Sequence, residues 1–283
     1  YVADRKALDR EIRSGRAMAG VVVPPTFLSD LRRGRTAEAQ LIVDAADPLA
    51  SGAAMSGAVQ AGAARSMAIL ARTTGRGPPL DVRVRPWYNP GLRSAVYIVP
   101  GIIGVLLSVT MILITSMSIV RERERGTLEQ LIVTPIDKTS LMLGKIVPFV
   151  LVGYVQMTVV LLLGRFLFDV PVRGSLPLLY LLTFAFIVAS LGMGLFISTL
   201  VRSQTQAMQL GFFFLLPNIL LSGFMFPREA MPEPAQWIGA ALPLTYFLQV
   251  LRGILLKGVG IDALWPQMSI LMGFAVLFIA LAV

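Results

Sequence analysis

Five long apolar segments constrain the fold of this chain more than any other feature. Each reaches the ~20 residues that an α-helix needs to cross the hydrocarbon core of a bilayer. They cover residues 96–119, 141–168, 176–201, 207–226 and 264–283. A helix can cross lipid because it satisfies all of its own backbone hydrogen bonds. The pattern therefore predicts a polytopic α-helical membrane protein, with five membrane helices in this chain.

The composition supports a membrane protein and excludes several classes of enzyme. Charged residues make up only 14% of the chain, whereas ordinary soluble domains carry about 25%. There is no Cys and no His, which excludes thiol nucleophiles, Ser-His-Asp triads, disulfides and His/Cys metal sites. We attribute the net charge of +9 to basic flanks of membrane helices rather than to nucleic-acid binding.

Residues 1–93 precede the membrane segments and have a different pattern. The apolar run Ala17–Val23 contains β-branched residues and closes at two prolines, and Val82–Arg85 alternates apolar with charged residues. With the segments between them, these runs predict the order strand, helix, strand, helix, strand. We therefore predict a small mixed α/β domain over 1–93 and a transmembrane domain over 94–283. A soluble domain at this position also leads us to expect another membrane helix before Tyr1.

Two features of the chain are open to a chemical interpretation. Asp44 and Asp47 could bind a metal or act as acid and base, but Asp before Pro is ordinary turn chemistry, which we favour. Almost no charge falls in mid-membrane, where proton-coupled transporters carry a relay of ionisable residues. Any transport by this chain therefore needs energy from elsewhere. The few polar candidates for a substrate path are Gln156, Asn218 and Ser222.

The region 227–262 is too interrupted by proline to read as one straight crossing. Pro227, Pro232, Pro234 and Pro243 break it, and Trp237, Tyr246 and Trp265 favour a bilayer interface. We predict re-entrant helices here, with a sixth full crossing as the alternative. Trp87 and Tyr88 suggest a second interface, where the chain enters the bilayer.

A charged stretch separates the first two membrane segments. Arg121 to Arg125 alternates in sign, which allows helical pairs such as Arg121–Glu124. Gly126 then breaks the helix, Thr127-x-x-Gln130 matches a capping box, and Pro135 ends the next turn. The positive-inside rule leans weakly toward a cytoplasmic position. Physical reasoning leaves two interpretations open: a tight interfacial loop, or a docking helix for a cytoplasmic partner.

The same stretch resembles the signature of type-2 ABC exporter permeases of the bacterial multidrug-efflux type. The residues that carry the resemblance are Arg121-Glu122-Arg123-Glu124-Arg125-Gly126-Thr127-Leu128-Glu129-Gln130-Leu131 and Thr134-Pro135. Further matching pieces are Trp87-Tyr88-Asn89-Pro90, Gly144-Lys145-Ile146-Val147-Pro148, the run from Pro217 to Pro227, and Pro243-Leu244-Thr245-Tyr246-Phe247.

This resemblance implies a fold, a location and a set of partners. The full subunit would have six membrane helices, the first of them absent here, with 1–93 as an extracytoplasmic domain at the bacterial inner membrane. A coupling helix within 121–135 would contact the ABC ATPase, with Arg121, Glu122, Arg123, Glu124, Gly126, Thr127, Leu128, Glu129, Gln130 and Leu131 as the coupling residues. A second permease subunit, membrane lipid and a periplasmic adaptor protein are the other implied partners.

ATP chemistry is expected in the partner and not in this chain. The sequence has no G-x-x-x-x-G-K-[ST] phosphate loop, since Gly144-Lys145 is followed by Ile146. The chain would therefore hold no cofactor, with ATP and Mg²⁺ bound by the ATPase. Its expected function is export of a hydrophobic or amphipathic, drug- or lipid-like substrate. The alternative is a non-transporting scaffold or receptor with a ligand-binding outer domain.

Overall fold

The computed structural model describes residues 4–33, 35–70, 80–126 and 138–282. The chain divides into two compact units, Tyr1–Tyr97 and Ile98–Val283. The first unit contains, in order, α1 (Arg5–Arg13), β1 (Ala19–Val22), α2 (Phe27–Arg32), β2 (Ala37–Asp44), α3 (Pro48–Leu70) and β3 (Leu80–Trp87). The predicted order from the first strand to the last agrees with this, and α1 is an additional helix that we did not predict.

A three-stranded mixed sheet organises the first unit. The strand order is β1-β2-β3, with β1 antiparallel and β3 parallel to the central β2. Parallel neighbours need a crossover connection, which α3 supplies. Leu8 and Ile12 of α1 pack on Ile42 of β2, whereas Gly62 of α3 lies against Val82, which pairs with Ala39. Residues 39 and 42 point to opposite faces of a strand, so α1 and α3 cover opposite faces of the sheet.

Two expectations about single residues can be checked in this unit. Asp44 Oδ1 accepts a hydrogen bond from the Ala46 N–H at 3.1 Å, an Asx turn that confirms the turn interpretation of this aspartate. The rings of Trp87 and Tyr88, which the sequence placed at a bilayer interface, pack against the cluster of Leu8, Ile12 and Ile42. Their apolar surface therefore stabilises the α/β unit itself.

In the residues that the structure describes, all regular elements of the second unit are helical. Its helices are α4 (Ser94–Glu124), which begins at the end of the first unit, α5 (Lys138–Leu167), α6 (Leu176–Leu200), α7 (Gln204–Leu221), α8 (Glu233–Ala240), α9 (Pro243–Arg252) and α10 (Ile261–Ala282). A 3₁₀ turn, Arg228–Ala230, precedes α8, and a π-helical turn, Gly253–Lys257, extends α9.

Four helices in the described ranges are long and apolar enough to cross a membrane: Ser94–Glu124, Ile146–Leu167, Leu176–Leu200 and Ile261–Ala282. The helix in the fourth predicted segment, α7, is not among them. It begins with Gln204, Gln206 and Gln209 and ends at Leu221, five residues before the predicted end. Helices α8 and α9 meet at 85°, a geometry shared by broken spans and re-entrant loops. The count of five crossings and the re-entrant region 227–262 stay predictions.

Close helix packing occurs where the sequence places small residues. A Cβ on Gly194 of α6 would lie 2.8 Å from the Ile112 carbonyl oxygen of α4, and one on Gly192 would lie 3.2 Å from Phe278 Cβ of α10. Gly104 of α4 likewise approaches Leu244 of α9. In the sequence, the pairs Gly101-x-x-Gly104 and Gly192-x-Gly194 predict close approach of neighbouring helices, and these contacts confirm them as packing positions. They make α6 the central helix of the unit.

Candidate functional site

The charged stretch begins as a direct continuation of a membrane helix. Helix α4 runs without interruption from Ser94 through Glu124. Two residues beyond its end lies Gly126, whose φ of +67° is left-handed and whose N–H donates to the Arg123 carbonyl oxygen at 3.2 Å. A glycine suits this position because it adopts positive φ without a Cβ clash. The predicted break of the helix at Gly126 is therefore confirmed.

Arg123 binds the C-terminal end of α6. Its Nη1 donates to the carbonyl oxygens of Ser198 and Val201, each at 3.2 Å. The last carbonyl groups of a helix lack partners within the helix and carry partial negative charge. A guanidinium group at this point supplies both donors and a favourable charge.

Glu124 binds the N-terminal end of α7. Its Oε1 accepts from the Gln204 backbone N–H at 3.0 Å, and its Oε2 accepts from Gln204 Nε2 at 2.5 Å. Ser203, the N-cap of α7, accepts from the Gln206 N–H in the same turn. The first N–H groups of a helix lack internal partners and favour a carboxylate. We call Arg123, Glu124, Ser198, Val201 and Gln204 the helix-end cluster.

An apolar layer lies one turn behind these polar contacts. Val120 of α4 is fully buried and clusters with Val201 and Ala207. Met117 and Leu210 pack around these three residues. The end of α4 is thus held to the connection between α6 and α7 by both packing and hydrogen bonds.

The observed partners differ from those that helical spacing suggests. Among the described residues an Arg121–Glu124 pair does not form, because the Glu124 carboxylate is engaged by Gln204. Among the other predicted coupling residues, Glu122 is half-buried. The remaining ones lie outside the described residues: Thr127, Leu128, Glu129, Gln130 and Leu131.

Sequence reasoning missed the contribution of Gln204 and the carbonyl groups of Ser198 and Val201. One signal was available, because Ser203-x-x-Gln206 matches the start of a helix. It marks the position of the α7 N-terminus without indicating which carboxylate binds there.

The three predicted substrate-path residues lie on two different helices. Gln156 of α5 donates from Nε2 to Thr110 Oγ1 of α4 at 3.0 Å. Asn218 and Ser222 lie one turn apart at the end of α7, and each is 2% exposed. Asn218 Oδ1, Ser222 Oγ and Gln156 Oε1 are buried and have no hydrogen-bond partner among the described residues. The structure brings Asn218 and Ser222 together on one helical face, with Gln156 on a separate helix.

The whole chain matches the profile of a known protein family. A profile of the family described as ABC-2 family transporter protein matches residues 1–283. The match includes both compact units and the helix-end cluster.

Individual relatives agree with the profile. The chain is 33% identical over 282 residues to the "Probable multidrug ABC transporter permease YbhS" of Escherichia coli K12, covering 98% of this chain and 74% of that protein. It is also 33% identical over 282 residues to the "Inner membrane transport permease YhhJ" of the same strain, covering 97% and 74%. A third relative, "Probable multidrug ABC transporter permease YbhR", is 37% identical over 188 residues, which are 66% of this chain and 51% of that protein.

Proposed function

Since this chain belongs to the ABC-2 transporter family, we propose that it exports a hydrophobic or amphipathic, drug- or lipid-like substrate across the bacterial inner membrane. It is a multi-pass membrane permease subunit of an ABC exporter, and the family implies an ABC ATPase and a second permease subunit as partners. To this family assignment our proposal adds the chemical class of the substrate, the membrane in which the subunit lies and the direction of transport.

The length of α4 carries the proposal for coupling. This helix has 31 residues, which at ~1.5 Å per residue span about 46 Å. The hydrocarbon core is only about 30 Å thick, so the charged end of α4 extends into water as part of the same helix. A force applied beyond Gly126 would act on a rigid membrane helix, as the proposed coupling by 121–135 requires.

The ATP chemistry belongs in this proposal to a separate subunit. ATP and Mg²⁺ would be bound there, because this chain has no phosphate-binding loop in its sequence. Residues 1–93 would lie on the extracytoplasmic side, where a periplasmic adaptor protein could bind them.

The buried polar atoms support the proposed class of substrate. Asn218 Oδ1, Ser222 Oγ and Gln156 Oε1 are three buried acceptors without a described partner, and buried polar atoms normally have one. The surrounding membrane helices are otherwise strongly apolar. A few acceptors in an apolar path suit an amphipathic molecule that offers hydrogen-bond donors.

A substitution in the proposed docking segment tests the function. Leu131→Asp would place an unpaired carboxylate in an apolar docking surface, which costs several kcal/mol. We expect ATPase co-purification and ATP-dependent transport of an amphipathic dye to fall at least about tenfold, since each ~1.4 kcal/mol is a factor of ten. Membrane insertion should be unchanged.

Leu131→Met, which keeps an apolar side chain of similar volume, is the matched control and should bind ATPase normally. The permease alone should hydrolyse no ATP. Unchanged co-purification of the ATPase with the Leu131→Asp variant would count against the docking role, and robust ATP turnover by the permease alone would overturn the subunit assignment.

A further inference from the structure

The two charged residues at the end of α4 have partners within the permease itself. We propose that Arg123 and Glu124 are positioning residues that fasten α4 to the α6–α7 connection, so that movement of the docking segment reaches α6 and α7 together. This inference rests on the proposed function. It also reassigns Arg123 and Glu124, because the surface that binds the ATPase would then lie mainly beyond Gly126.

The order of the two charges fits the polarity of the two helix ends. Helix α6 ends at Leu200 and α7 begins at Gln204, so an end with partial negative charge and an end with partial positive charge lie four residues apart. Arg123 binds the first and Glu124 the second. Exchanging the two side chains would place like charges at both ends. Adjacent residues of opposite sign are therefore matched to adjacent helix ends of opposite polarity.

The position along the chain suits transmission of movement. Gly126, whose left-handed φ follows the end of α4, is only two residues beyond Glu124. Any displacement of the segment after Gly126 reaches the helix-end cluster before it reaches the membrane part of α4. The buried side chains of Val120, Val201 and Ala207, which pack together next to the polar contacts, would make the end of α6 and the start of α7 move as a unit.

From the helix-end cluster, contacts continue to the region of α8 and α9. On α6, Phe186 stacks on Phe247 of α9 with ring centroids 4.0 Å apart and planes 6° apart. On α7, the Leu221 carbonyl lies against Gly239 of α8 so closely that no Cβ would fit there. Movement of the α6–α7 connection would therefore act on α8 and α9 through two separate helices.

Alanine variants of the permease, purified with its ATPase and reconstituted in vesicles, test this inference. The variants are Arg123→Ala and Glu124→Ala, and the readouts are ATPase bound per permease, ATP hydrolysis, and transport per ATP hydrolysed. We expect bound ATPase to stay within about twofold, while transport per ATP falls about two- to thirtyfold, the range for single changes along a coupling route.

Arg202→Ala is the matched control. It removes an arginine from the same α6–α7 connection, where the Arg202 side chain is exposed and has no hydrogen bond to a described residue. Its transport per ATP should equal that of the wild type. If bound ATPase falls in parallel with transport in the Arg123 and Glu124 variants, these residues belong to the docking surface and the inference is wrong. Normal transport per ATP in both variants would also overturn it.

Cross-linking the end of α4 to the start of α7 gives a second, independent readout. Because the chain has no native Cys, Glu124→Cys and Gln204→Cys can be combined and joined with a short bifunctional thiol reagent before the ATPase is added. The unjoined double variant should be impaired, and joining should restore transport per ATP. A joined variant that stays impaired would contradict the inference. A wild-type permease that binds no ATPase would instead overturn the proposed function, and this inference with it.

Discussion

Helices α5 and α6 are almost equally hydrophobic, yet they occupy opposite positions in the membrane unit. Of the most apolar 18 residues in each, 72% are buried inside the chain in α6 and 17% in α5. Both satisfy the length and apolarity of a membrane span. Hydropathy therefore indicates that a helix can cross lipid, and it does not indicate whether its neighbours are other helices, lipid or a second subunit.

The difference lies in the sizes of the side chains along each helix. In α6, small residues such as Ala189, Ser190, Gly192 and Gly194 are all buried, so neighbouring helices approach closely. In α5, large side chains such as Leu151, Val155 and Phe166 are exposed on the outside of the chain. Within a membrane, such a face contacts either lipid or a partner.

The largest expected effect comes from truncating one aromatic residue in each of the two helices. Phe186 of α6 is fully buried and stacked on Phe247, whereas Phe166 of α5 is 79% exposed. Phe186→Ala should lower the free energy of unfolding by about 2–4 kcal/mol, somewhat below the value for soluble cores because lipid replaces water as the reference. Phe166→Ala should change it by less than about 0.5 kcal/mol. Denaturant titration in detergent micelles measures both.

A similar loss with Phe166→Ala would show that α5 is packed against something in the folded subunit. Helix α5 would then be a packed helix of the subunit, as α6 is.

An intermediate effect is expected from one added methyl group. Gly194→Ala would place a Cβ 2.8 Å from both the Ile112 carbonyl oxygen and Thr115 Cβ of α4, so the two helix backbones must separate. Overpacking of this kind costs about 1–3 kcal/mol. Gly144→Ala, in α5, is the matched control, because a Cβ there would meet no described atom within 4 Å. Thermal unfolding, monitored by size exclusion, measures both variants. The transition temperature should fall for Gly194→Ala and stay unchanged for Gly144→Ala.

Much of the fold could be predicted from sequence because its signals are local. The apolar runs gave α4, α5, α6 and α10 to within a few residues, and Gly192-x-Gly194 indicated close packing. Local reasoning also explains what was missed. Asp4 caps α1, and Leu8 and Ile12 are its buried residues, but the helix is short and otherwise charged. Helix α7 ends early, just before Ser222 and Gly223, where Gly223 has a left-handed φ of +87°. The glutamines at its start lower its apolarity without adding charge.

The candidate site was harder to predict because its contacts join distant parts of the chain. Glu124 has a helical neighbour, Arg121, that suggests a local pair, yet the observed partners of Arg123 and Glu124 are 75 to 80 residues away. A helix end can satisfy a charged side chain as well as an opposite charge does, and sequence does not show which helix end lies nearby. The docking segment itself, from Thr127 onward, rests on the capping-box pattern and the family resemblance, and its role stays a prediction.

The smallest expected effect concerns how the peripheral helix is attached. Thr158 Oγ1 of α5 donates to the Tyr154 carbonyl oxygen at 2.7 Å and lies 2.6 Å from the Tyr180 hydroxyl of α6. Thr158→Val keeps the shape and removes the hydroxyl, so it should cost about 0.6 kcal/mol, the average for hydrogen bonds between membrane helices. Thr199→Val is the control, because among the described residues that hydroxyl donates to the Phe196 carbonyl oxygen of its own helix and to no other helix. If denaturant titration shows equal losses for both, the bond to Tyr180 adds nothing to stability, and α5 would be held by its apolar contacts and by whatever covers its outer face.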